Sequence, residues 1–290
     1  MTRRVMAGAV LVPALAAGAG VGVALAAPAG AARSDGPNGI GDPLHGDLNG
    51  DGYTDIALLS SGPTGCNVTV QLGDGFTSYG PPTTYTYPDP DPGFGYCPDM
   101  GVIVDLGGDG VAELVLAWWA GHPPGVADDL LVLENFVPAG GFDAIYMPQF
   151  IGTADFNGDG LVDVYESTDE GASFITYLNN PAGELVRGPM AFSGYSDEYN
   201  FADFDEDGAT DVAFAFYESY QPGGPFMGVA VLLDDGTVTY LESADTDYGW
   251  DAIVTDVNHD GHTDVRSINN DTGVVRTFLG NGAGLFTLAK

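Results

Sequence analysis

Positive charge is the scarcest commodity in this chain. Its 290 residues hold 7 Lys and Arg against 41 Asp and Glu, a formal net charge of -34. Such a chain repels the phosphates of nucleic acid and the surface of anionic membranes, so neither is an expected partner. Repulsion of this size also strains any compact state, and bound cations are the natural neutraliser. Acidity that serves solubility alone is the plainer alternative, but the acids fall in clusters rather than being scattered.

Histidine is nearly as rare. The four, His45, His122, His259 and His262, are mostly far apart in sequence and do not make a transition-metal pattern. No Gly-x-Ser-x-Gly and no His-Glu-x-x-His occurs, so the common nucleophile and zinc-protease motifs are missing. Cysteine is limited to Cys66 and Cys97. An oxidising compartment favours one disulfide between them, closing a loop of about 30 residues worth roughly 3 kcal/mol; two free buried thiols are the alternative. With no Cys before Cys66, a lipid-modified N-terminal cysteine is excluded.

Glycine and proline are plentiful, at 44 and 19 residues, while apolar content is an ordinary 44%. That composition favours many short strands and turns over long helices and over disorder. The N-terminus reads as an export signal. Arg3 and Arg4 precede an uncharged stretch from Val5 to Ala27, and Ala24-Leu25-Ala26 or Ala29-Gly30-Ala31 fits a cleavage site. The stretch is also long enough for an uncleaved anchor, and the paired arginines allow a twin-arginine signal. The expected organisation is a signal peptide over 1–32, a linker over 33–43 and one repeat domain over 44–290, with a secreted destination.

The repeat decides the expected fold. Five nine-residue segments align: Asp47-Leu-Asn-Gly-Asp-Gly-Tyr-Thr-Asp55, Asp105-Leu-Gly-Gly-Asp-Gly-Val-Ala-Glu113, Asp155-Phe-Asn-Gly-Asp-Gly-Leu-Val-Asp163, Asp203-Phe-Asp-Glu-Asp-Gly-Ala-Thr-Asp211 and Asp256-Val-Asn-His-Asp-Gly-His-Thr-Asp264. They start 58, 50, 48 and 53 residues apart, and each precedes an apolar run. Further along each unit a second apolar run meets a turn such as Gly73-Asp74-Gly75, Asp234-Asp235-Gly236 or Gly280-Asn281-Gly282. Each unit therefore reads as strand, Asp loop, strand, connection, strand, turn, strand, the size of a propeller blade. The expected fold is an all-β propeller of about five four-stranded blades, near 44–98, 99–148, 149–196, 197–248 and 249–290. All five units are complete in sequence order, so closure is expected from packing of blade five on blade one rather than from an exchanged strand.

These segments resemble the FG-GAP and VCBS-type repeats of secreted bacterial proteins and of integrin α-subunit propellers. The resemblance covers residues from about 44 to 290 and implies a calcium-stabilised propeller. It implies no single activity, because such repeats occur in adhesion proteins, lectin-like proteins and some carbohydrate-active enzymes. Integrin-type propellers have seven blades and this chain shows five, so an integrin-like partner surface does not carry over.

The loop chemistry points to Ca2+, which takes six to eight hard oxygen ligands. In loop one, Asp47, Asn49 and Asp51 offer side-chain oxygens, Tyr53 its carbonyl, and Asp55 closes the set, while Gly52 permits the sharp turn. The same roles fall to Asp155, Asn157, Asp159, Leu161 and Asp163 in loop three, and to Asp203, Asp205, Asp207, Ala209 and Asp211 in loop four. In loop five they fall to Asp256, Asn258, Asp260, His262 and Asp264. Loop two keeps Asp105, Asp109 and the carbonyl of Val111, but Gly107 replaces a ligand at position three and Glu113 stands at position nine, so it is expected to bind most weakly or not at all. An EF-hand needs flanking helices and Glu at position twelve, where these loops have Leu58, Leu116, Glu166, Phe214 and Ser267. Dockerin-type pairs joined by helices fit poorly too.

Outside the loops, Trp118 and Trp119 fall on an expected strand and point to opposite faces. One of them, with Tyr217, Tyr220 or Trp250, is a candidate sugar platform, against plain core packing. An acid pair for glycoside hydrolysis can be drawn from Asp169, Glu170, Glu218 and Asp247. The Pro/Asp stretch from Tyr87 to Cys97 and the stretch from Glu218 to Pro225 are either partner-binding loops or tolerated insertions. The leading functional expectation is a non-enzymatic binding or adhesion module for a glycan or an extracellular protein. The alternatives are an extracellular carbohydrate-active hydrolase or lyase and a purely structural surface domain.

Overall fold

The computed structural model describes residues 38–63, 65–76, 78–88, 97–119, 130–142, 148–168, 174–217, 224–244 and 249–290. The expected signal peptide and most of the linker lie outside them. So do His122, Asp169, Glu170, Glu218, Tyr220 and Asp247, and the interiors of the stretches after Tyr87 and Glu218.

The described residues form five four-stranded antiparallel sheets, each a simple meander. Sheet I holds β1 (Leu44–Gly46), β2 (Asp55–Gly62), β3 (Gly65–Gln71) and β4 (Thr83–Tyr87). Sheet II holds β5 (Met100–Val104), β6 (Glu113–Ala117), β7 (Leu130–Glu134) and β8 (Val137–Phe142). Sheet III holds β9 (Phe150–Ala154), β10 (Asp163–Ser167), β11 (Phe174–Asn179) and β12 (Leu185–Phe192). Sheet IV holds β13 (Tyr195–Ala202), β14 (Asp211–Tyr217), β15 (Met227–Leu232) and β16 (Val238–Ala244), and sheet V holds β17 (Trp250–Thr255), β18 (Asp264–Asn269), β19 (Val274–Gly280) and β20 (Phe286–Leu288). In every sheet the nine-residue Asp loop joins the first strand to the second. No helix of the described residues is long and apolar enough to cross a membrane.

Strand composition follows position in the stack. The second and third strands of sheet IV, Asp-Val-Ala-Phe-Ala-Phe-Tyr and Met-Gly-Val-Ala-Val-Leu, are buried at nearly every position, because sheets cover both faces. The strand β3 alternates buried and half-buried residues, as a sheet with one covered face does. Four apolar clusters fill four seams. Leu44, Ala57, Val68 and Val70 meet Leu114, Leu116 and Leu133 between sheets I and II. Met100, Val102 and Val115 meet Ile151, Val164 and Leu185 between II and III. Phe156, Tyr165 and Phe174 meet Phe214, Phe216 and Leu232 between III and IV, and Phe204, Ala213 and Val231 meet Ala252 and Val265 between IV and V.

Two sequence expectations are refined. The strand β6 stops at Ala117, so Trp118 and Trp119 lie just past it rather than within it. There the backbone is held by the carboxylate of Asp99, which accepts from Trp119 N–H at 2.9 Å. Trp118 is buried and Trp119 is 40% exposed, so the expected split between core and surface survives the change. Cys66 and Cys97 form a disulfide that ties β3 to the segment entering sheet II.

Candidate metal centres

All five Asp loops share one backbone path, and glycine explains part of it. Position six is glycine throughout, and Gly52, Gly110, Gly160, Gly208 and Gly261 have φ of 84°, 90°, 86°, 97° and 95°. An L side chain is strained there, which accounts for the repeated Asp-Gly. Position four is left-handed as well, with Glu206 and His259 both at φ 61°.

The ninth position proves to have a role that ligand counting overlooked. Asp55, Asp163, Asp211 and Asp264 are fully buried, at 0% exposure. Each spends both carboxylate oxygens on backbone N–H groups. Asp55 accepts from Leu48 at 2.9 Å and Gly73 at 2.8 Å, and Asp163 from Phe156 and Asn179 at 2.7 Å. Asp211 accepts from Phe204 and Asp234, and Asp264 from Val257 and Gly280, all at 2.8 Å. The residue thus clasps position two of its own loop to the end of the third strand or the turn just after it. Glu113, one methylene longer, still reaches Leu106 N–H at 2.9 Å. A carboxylate has about four acceptor sites, so clasping leaves capacity for a cation.

Burial leaves this group short of positive charge. It pushes the carboxyls of Asp163 and Asp211 up to about 7, against the lowering pull of their N–H donors. Asp55 and Glu113 move up for the same first reason.

Loop four gathers carboxylates most closely. Oxygens of Asp203, Asp205 and Asp211 lie within 4.8 Å of one another, and so do oxygens of Asp205, Asp207 and Asp234. Both groups are close enough for their oxygens to share one metal ion. Oδ1 of Asp205 is buried without a hydrogen-bond partner. Burial, then repulsion from Asp207 and Asp203, raises the Asp205 carboxyl, and burial followed by Asp207 and Asp205 raises Asp234. Clusters of Asp that can hold a metal ion are therefore present, and among the described residues this loop and its adjoining turn supply them. Asp234 escaped the sequence reading because its place is taken by Gly73, Asn179 and Gly280 elsewhere; the signal was Asp-Asp-Gly in a turn already marked as a hairpin.

Loops one, three and five are held differently. Their position-three amide donates to the position-five carboxylate: Asn49 to Asp51 at 2.9 Å, Asn157 to Asp159 at 3.0 Å and Asn258 to Asp260 at 2.8 Å. In all five loops the first Asp accepts from the loop's own backbone, as Asp47 does from Gly52 at 2.6 Å and Asp203 does from Gly208 at 3.0 Å. In loop two, Gly107 has a packing reason. Its φ is 86°, and a Cβ there would lie 3.2 Å from the backbone N of Gly183 in sheet III. Its N–H bonds Oδ1 of Asn179 at 3.1 Å, and Nδ2 of Asn179 bonds the carbonyls of Asp105 and Val162 at 3.1 Å. A buried amide thus stitches loop two to loop three in place of a ligand.

The other sequence candidates disperse. His45 is exposed on β1, and His262 bonds Glu206 across sheets IV and V. Tyr217 stacks on Tyr195 with ring centres 5.1 Å apart, and Trp250 packs against the cluster between sheets IV and V. At the mouth of the first three sheets a hollow of about 640 Å³ is lined by Asn38, His45, Asp47, Thr54, Asp105 and Thr153 over a floor that includes Val102 and Val162. No family model matches the chain, and no curated protein matches it.

Proposed function

We propose that the chain is an exported, calcium-stabilised β-propeller of the FG-GAP/VCBS-repeat type that works as a non-enzymatic binding module for a glycan or an extracellular protein. The observation that carries the metal reading is loop four, where carboxylates converge and one oxygen is buried without a partner. The four Asp-terminated loops take Ca2+ through positions one, three, five, seven and nine, loop four best, while loop two, ending in Glu113 and lacking a side chain at position three, takes it least or not at all. Bound calcium supplies the positive charge that a chain of net charge -34 lacks. Asp211 then holds both the turn and the ion, so metal binding and blade folding are one event.

The binding role is supported by the form of the molecule: rigid sheets, loops tied at one end, and a mixed polar and apolar hollow beside them. The strong negative charge favours neutral glycans or basic protein surfaces over anionic ones. A glycan array probed in millimolar calcium, repeated with chelator, tests this. Calcium-dependent capture of neutral glycans is the expected result. Calcium titration calorimetry on the same protein is the independent check, and heat-silent titration defeats the metal reading whatever the array shows.

A further inference from the structure

The four seams share one set of contacts, and the two ends of the stack carry the unmatched halves of a fifth. In each seam the apolar residue at loop position two is covered by the following sheet. Leu48, Leu106, Phe156 and Phe204 are 8%, 7%, 1% and 1% exposed. The position-seven side chain meets position four of the preceding loop: a Cβ on Gly50 would lie 3.1 Å from Val111, and one on Gly108 would lie 2.8 Å from Leu161. The fifth residue after the turn's Asx reaches back too, with Leu185 in the core between sheets II and III and Phe286 edge-on to Phe204. Position eight donates its N–H to the first carbonyl of the preceding loop, as Ala112 does to Asp47 and Thr210 to Asp155.

At the ends these same positions are open. Val257, at position two of loop five, is 41% exposed, and among the described residues no sheet covers it. Tyr53 and Tyr79, the counterparts of Leu161 and Leu185, are 47% and 43% exposed, and among the described residues no sheet covers them. The outward face of sheet V presents Ile253 and Val275, and that of sheet I presents Leu58 with Ile56. Among the described residues, no hydrogen bond and no apolar cluster joins sheet V to sheet I.

We infer that sheet V of one molecule docks on sheet I of a second copy by the contacts that join consecutive sheets within the chain. Two copies placed head to tail about a two-fold axis satisfy both ends at once. The occupant is chosen by continuity: the exposed positions are those that the intrachain seams fill. This goes beyond the binding role and does not rest on it.

Sedimentation velocity of the purified chain in calcium, over a hundredfold concentration range, tests the inference. Ile253→Asp and Leu58→Asp alter the two open faces away from the Asp loops, and both positions are exposed in the single chain. The dimer mass is expected for the unaltered protein and the monomer mass for each variant, with unchanged circular dichroism. Mixing the two variants restores one intact seam and returns a dimer. Phe76→Ser is the control: Phe76 is 90% exposed, and its counterparts Ala182 and Ala283 are exposed even where a preceding sheet is present, so it leaves the dimer intact. A monomer at every concentration overturns the inference, as does a dimer that survives both face variants. A monomer that both face variants destabilise to heat overturns it in favour of a chain that closes on itself.

Discussion

Stability in chelator should fall as pH rises from about 4 to about 7, and calcium should abolish the fall. Asp163 and Asp211 have folded-state values near 7 from a reference of 3.8, raised by burial. Below the reference value both the folded and the unfolded chain are protonated and nothing is lost. Between the two values the unfolded chain releases its proton while the folded chain holds on, so each pH step favours unfolding. Three pH units at about 1.4 kcal/mol each set an upper bound of about 4 kcal/mol per carboxylate. Solvent screening at the loop mouth roughly halves that, leaving about 4 kcal/mol for the pair. In a domain of this size the loss is about 10 °C in melting temperature. A bound cation removes the reason for the raised values, and calcium at a thousand times its dissociation constant returns about 4 kcal/mol per site. Differential scanning calorimetry at pH 4.5, 6 and 7.5, with chelator and with calcium, reads this directly. A melting temperature in chelator that is flat or rises over that range, or a calcium curve parallel to the chelator curve, refutes the reasoning.

Gly107→Asp, which restores the missing side chain in loop two, should lower the melting temperature and add no calcium to the stoichiometry found by calorimetry, because the added Cβ meets sheet III at a left-handed φ. Asn179→Ala should cost about 2–4 kcal/mol in urea unfolding, since its two bonds to loop two and one to loop three are lost and buried partners are stranded. Reducing the Cys66–Cys97 disulfide should cost about 3 kcal/mol without changing the circular dichroism, as read by chemical denaturation with and without reductant.

Much of the fold is legible from one line of text. The left-handed sixth position is glycine in every loop, so Asp-Gly recurs where each loop turns, and apolar runs on either side mark the strands. These are local requirements, met within a few residues whatever the rest of the chain does. The disulfide was legible as one of two outcomes, and only the approach of β3 to the entry of sheet II chose between them. The limit of β6 was not legible, because Asp99 ends the ladder from a distance of twenty residues.

The loop sequence alone determined that five clusters of acid would sit at strand ends and that calcium chemistry suits them. Only the tertiary structure decided which carboxylates converge, that Asp234 joins them from a neighbouring turn, and that the ninth residue of loops one, three, four and five is a buried clasp. It also decided that loop two spends its third position on packing against loop three. The physical reason is one of range: backbone φ and hydrogen bonds inside a loop follow from nearest neighbours, whereas burial and charge density depend on which sheet lies against which, and that is set by contacts fifty residues apart.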